Sequence, residues 1–121
     1  MAAVFKASSS GTQATRDSMI AGYRQLIVRA HARGLKVLAA TITPYDGASY
    51  YSPEGEAVRA AINTWIRSSH EVDGVIDFDA AMRDPAQPTR IRDGFHAGDH
   101  LHGSDAGYDA MAAVIDLSLF K

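Results

Sequence analysis

The sequence predicts an α/β layered fold with a short parallel sheet. Two observations carry this. Helical and strand-like segments alternate along the chain, in the order helix, strand, helix, strand, long loop, helix. The strand-like runs are apolar with little alternation, as in strands covered on both faces. Alternating strands and helices favour parallel pairing through right-handed crossovers.

Each element has its own signals. Residues 1–14 read as an irregular segment, with Ala2 to Phe5 as a short strand or a frayed end. A first helix is expected from Thr15 or Asp17, either of which can cap it. Met19, Ile20, Tyr23, Ile27 and Ala30 recur at helical spacing, with Leu26 beside them. Arg29 and Arg33 suit the negative end of the dipole, and Gly34 suits the left-handed residue that ends the helix. Lys36 to Ile42 reads as a strand stopped at Thr43-Pro44. Tyr45 to Ser52 reads as a loop. Ser52-Pro53-Glu54 then opens a second helix with a capping serine, a proline in the first turn and an acid. That helix runs through Val58, Ala61, Ile62, Trp65 and Ile66 to about Ser69, with Trp65 read as a packing residue. Gly74 to Phe78 is the second strand, and Asp79 to Met82 at most one helical turn. Asp84 to Phe95 reads as a long irregular stretch, and long loops in compact domains are often functional. Ser104 caps a last helix with Tyr108, Met111, Ala112, Ile115 and Leu119 on its apolar face.

The chain has 121 residues, room for one domain. It is 46% hydrophobic, which excludes a disordered chain. The formal charge is −2 and the basic residues are scattered, so no nucleic-acid partner is expected. There is no cysteine, which excludes disulfides, thiolate zinc sites and a cysteine nucleophile. No membrane span is expected, because no run is long and apolar enough. The first ten residues do not form a signal peptide. Either the chain is cytoplasmic as written, or an export signal lay upstream.

The densest chemistry lies in His96-Ala97-Gly98-Asp99-His100-Leu101-His102, just before the last helix. Asp99 and His102 are three residues apart. In a tight turn that spacing lets the carboxylate reach Nδ1 of the imidazole, leaving Nε2 free to take a proton from a nucleophile. The same pattern also fits an aspartate capping a turn beside a surface histidine. His96, His100, His102 and Asp99 are candidate metal ligands by type, but in no recognised ligand spacing. No metal or cofactor is expected.

Several stretches carry a resemblance. They are Gly22 to Ile27, Ala30 to Val37, Thr41-Ile42-Thr43-Pro44, Val75 to Asp79, Arg83-Asp84-Pro85, Gly98 to His102 and Gly107 to Ala112. In this order and at these distances, residues 15–120 resemble the middle and last blocks of the SGNH (GDSL-type) serine hydrolases, the lipases and esterases. The resemblance implies a truncated flavodoxin-like three-layer sandwich, with residues 1–14 outside it and 15–121 as a partial hydrolase domain. Lys36 to Ile42 and Val75 to Phe78 would be its last two strands. It also implies carboxylic ester hydrolysis, with Asp99 the orienting carboxylate and His102 the base that later protonates the leaving alcohol. Relatives of full length are often secreted.

The sequence departs from the family pattern at its start. No Gly-Asp-Ser turn supplies the nucleophile, and no Gly-x-Asn-Asp motif supplies oxyanion donors. Gly103 stands where the family often has proline. Ser8, Ser9 and Ser10 are candidates to replace the serine, as are Ser49 and Ser52 in the loop after the first strand. Tyr45, Tyr50 and Tyr51 are expected to line or buttress the substrate cleft. The partner expected is a small ester. The alternative is an inactive truncated fragment retained as a structural or binding remnant. Two strands make a thin sheet, so a homo-oligomer through the exposed sheet edge or helix faces is expected, with Ala2 to Phe5 as a candidate added strand.

Overall fold

The computed structural model describes residues 9–121. The elements are α1 (Ser9–Ala32), β1 (Leu38–Ala40), α2 (Pro53–Ser68), β2 (Gly74–Ile76), α3 (Phe78–Met82), β3 (Arg83–Asp84), β4 (Gln87–Ile91) and α4 (Asp105–Ala113), followed by a 3-10 turn over Leu117–Phe120. The fold is α/β with a short parallel sheet. β1 and β2 pair in parallel, Leu38 opposite Gly74 and Ala40 opposite Ile76.

α1 starts earlier than a cap at Thr15 or Asp17 requires, so residues 9–14 are helical, not irregular. The expected strand at Ala2 to Phe5 lies outside the described residues. At the other end Gly34 takes a φ of +73°, and the Leu35 amide bonds back to the Ala30 carbonyl. The Gly34 amide bonds to His31, completing a left-handed helix stop. His31 Nε2 lies 2.7 Å from Asp73, whose carboxylate also accepts from the Val37 amide at 2.7 Å. That aspartate fixes where the chain turns into β1.

α2 begins as its sequence predicts, with the Ser52 hydroxyl accepting from the Gly55 amide. Val58, Ile62 and Ile66 recur every fourth residue and are buried. Against them pack Met19, Ile20 and Tyr23 of α1, Ala39 of β1 and Val75 of β2. This is the main core, where α2 meets α1 and the sheet. Trp65 is half-buried and stacks on Tyr23, with ring centroids 6.0 Å apart.

β1 is closed at its end by side chains of α2. The Ile42 amide donates to Asn63 Oδ1 at 2.7 Å, and the Ile42 carbonyl accepts from Asn63 Nδ2 and Arg59. Arg59 is itself buried, held by Glu56 and Asp79 at 2.7 Å each. A buried cation needs such partners, since an uncompensated one is costly.

Three expectations need correction. Phe78 opens α3 and is not strand, because the Asp77 side chain caps the turn by accepting from the Ala80 amide. Residues 84–95 are not wholly irregular. β3 and β4 form a small antiparallel hairpin within them, its turn held by Asp84 accepting from the Ala86 amide. α4 ends at Ala113, so Ile115 and Leu119 are not on its face, and Tyr108 is 53% exposed.

Candidate active site

α4 anchors the loop that holds Asp99 and His102. Ser104 caps it, accepting from the Gly107 amide while its hydroxyl donates to the Gly94 carbonyl at 2.6 Å. The Ser104 amide donates to Phe95 O and the Ala97 amide to His102 O, so residues 95–104 close into a narrow loop. Gly107 lets α4 approach, since a Cβ there would fall 2.1 Å from Phe95 O.

Inside the loop, Gly98 and His100 both have positive φ, +101° and +59°. His96 Nδ1 accepts from the Gly98 amide at 3.0 Å and from the His100 amide at 3.2 Å. Asp99 sits between those two amides. Its Oδ1 accepts from the Leu101 and His102 amides, and its Oδ2 lies 2.6 Å from His102 Nδ1. The hydrogen bond to the His102 ring, then the two amides, holds the Asp99 carboxyl well below the usual carboxylate range. Asp99 is therefore ionised at neutral pH. A carboxylate at Nδ1 selects the tautomer with the free lone pair on Nε2. The His102 side chain is 68% exposed, so Nε2 is open to solvent.

A groove of about 320 Å³ runs beside the loop, lined by Gly47, Ala48, Ser49, Tyr50 and residues 98–101. Asp99 lies on its wall, whereas His102 does not line it. The opposite wall is the segment after β1. Tyr45 and Ala48 form a small buried cluster there, with Tyr50, Tyr51 and Leu101 packed on it. Leu101 thus ties the loop to the tyrosines. Burial pushes the Tyr45 phenol up to about 12, with a hydrogen bond to Ser52 opposing part of the shift. Tyr45 is a buttress, and Tyr50 is the tyrosine on the groove.

The other sequence candidates separate. Ser49 shares the groove with Asp99. Ser52 caps α2. Ser9 and Ser10 begin α1, and Ser8 lies outside the described residues. Among residues 15–121, the His102 ring bonds to Asp99, and no hydroxyl is hydrogen-bonded to it. Nor do His96, His100, His102 and Asp99 combine into a group that could hold a metal, among the described residues. His96 Nδ1 is occupied by two amides, and its ring stacks on His100 with centroids 4.2 Å apart.

Sequence reasoning missed the part His96 plays in the loop. It also missed the closeness of Gly47 to the His100 ring, which leaves 2.7 Å for a Cβ. The loop's own Gly98 was the available signal, since a glycine there marks a turn whose amides need acceptors.

A parallel strand pair packed on helices defines an α/β protein, and a carboxylate and an imidazole are in contact on the loop before its last helix. The chain belongs to the GDSL-like Lipase/Acylhydrolase family, whose model matches residues 5–110. Membership makes hydrolase the general activity class. No curated protein matches the chain.

Proposed function

We propose that the protein is a carboxylic ester hydrolase in which Asp99 orients His102 and His102 moves the proton. The observation that supports this is the 2.6 Å contact between Asp99 Oδ2 and His102 Nδ1, with Nε2 facing solvent. Nε2 takes a proton from the attacking hydroxyl, the oxygen adds to the ester carbonyl, and the tetrahedral adduct expels the alcohol. The imidazolium returns its proton to the leaving alkoxide. Asp99 stays ionised throughout and stabilises the imidazolium. The attacking hydroxyl belongs either to water, which gives the acid directly, or to a serine, which gives an acyl-enzyme that water then cleaves. Ser49 is the serine placed on the groove. Ser8, Ser9 and Ser10 remain candidates, as the sequence has them.

The test is hydrolysis of short-chain p-nitrophenyl esters. His102→Ala lowers kcat/KM by about 100-fold or more. Asp99→Asn keeps the shape but loses the charge, so kcat falls while KM holds. Ser49→Ala abolishes activity if Ser49 is the nucleophile, whereas activity through water or through a serine of residues 8–10 survives it. Full activity of His102→Ala would refute the assignment.

A second reading is an inactive remnant with a structural or binding role. The groove favours it, because its lining includes Asp99 but not the His102 ring. Wild-type protein no faster than buffer on every ester would establish it.

A further inference from the structure

We infer that His96 is a positioning residue for the Asp99–His102 pair. This rests on the hydrolase reading above but draws on different contacts. His96 Nδ1 accepts from the amides of Gly98 and His100, the residues immediately before and after Asp99. One nitrogen thus holds the backbone on both sides of the carboxylate. To accept two N–H donors Nδ1 must carry a lone pair, so a neutral His96 has its proton on Nε2. The Asp99 carboxylate then faces the amides of Leu101 and His102 and the His102 ring.

The same contact sets the neighbouring wall. His100 is held left-handed, at φ +59°, a conformation unusual outside glycine. Its amide bonds to His96 and its ring stacks on the His96 ring at 26° between planes. That ring fills the space a side chain at Gly47 would need, and both residues line the groove. His96 therefore fixes the direction of the proton-transfer pair and the position of the groove wall through one turn. Its own ring does not line the groove, so it acts through its neighbours.

Two substitutions separate an acceptor from mere bulk. The Asn Oδ1 atom can stand where His Nδ1 stands and accept the same amides, whereas leucine fills the space and accepts nothing. His96→Leu is expected to lower kcat on the p-nitrophenyl ester by about tenfold or more, as a displaced proton-transfer pair does. His96→Asn restores most of that loss. A readout independent of turnover is the proton NMR signal of His102 Nδ1–H, shifted downfield by its bond to Asp99. It is kept in wild type and His96→Asn and broadened or lost in His96→Leu. Circular dichroism checks that both variants fold. If His96→Leu retains both kcat and the downfield proton, the inference is overturned, as it is if His96→Asn proves as impaired as His96→Leu. His102→Ala distinguishes the two claims. Should it leave hydrolysis intact, the catalytic assignment of His102 falls, and His96 is judged on the downfield proton alone.

Discussion

Asp77 sits just past β2, and its carboxylate is shared among three parts of the chain. It accepts from Thr41 Oγ1 after β1, from the Arg67 guanidinium on α2 through both oxygens, and from the Ala80 amide of α3. Arg67, more than any other contact, draws its pKa from 3.8 down to about 2. The neighbouring Asp79 is also lowered. Its burial acts to raise it, but hydrogen bonds from Arg67 and Arg59 outweigh that. A folded pKa below the unfolded one gives stability that is fully present above 3.8 and lost as pH falls toward about 2. Urea midpoints measured across that window should therefore drop, and drop less steeply in Asp77→Asn. Parallel curves for the two proteins would show that Asp77 is not responsible. Asp99 follows the same sign and stays charged well below neutral pH. At this scale the Asp99–His102 contact was legible because a spacing of three allows it in a tight turn and the family resemblance singled out that turn. His96 was not, because turn amides are usually accepted by Asn, Asp or Ser, and an imidazole in that part leaves no pattern.

Among the elements, those with strong end signals matched best. α2 has its serine cap and its proline in the first turn, and α1 has its glycine stop. Local chemistry decided those ends, so sequence sufficed. The start of α1 was misjudged because Ser9 to Ala14 shows neither an apolar stripe nor a cap. The β3–β4 hairpin was missed because Pro85 and Pro88 read as breakers. In the structure Pro88 lies on β4 in a two-stranded ribbon, where proline is tolerated at an edge. α4 offers the test at this scale. The Ser104 hydroxyl both caps α4 and ties Gly94 to the loop. Ser104→Ala should cost about 1 kcal/mol, read as a lower urea midpoint with an unchanged slope. An unaltered midpoint would mean that α4 does not depend on this cap.

At the scale of the whole molecule, the buried apolar residues include a main core around Ile62 and a small cluster around Tyr45. The site loop rests on the second through Leu101. The α/β class and parallel pairing were legible, since unbroken apolar runs between helices admit few other arrangements. The separate cluster was not, because the Tyr45 to Ser52 segment has no period. No described helix is long and apolar enough to cross a membrane. Self-association remains a proposal at this scale. Val37 and Thr41 direct their backbone groups to β2, so those of Leu38 and Ala40 turn to the opposite edge, where no described strand lies. Leu26 and Val28 on α1 are also exposed, at 64% and 66%. Light scattering should give a mass above that of one chain at high micromolar concentration, and a sharp single-chain mass would exclude it.

The clasp that Asn63 and Arg59 place on Ile42 limits what such an assembly can be. Those side chains already supply Ile42 with the donors and acceptor that a neighbouring backbone would offer. An incoming strand would therefore pair at Leu38 and Ala40, and the ladder would stop short of Ile42. So brief a zipper would make the predicted pair reversible, one that dissolves on dilution.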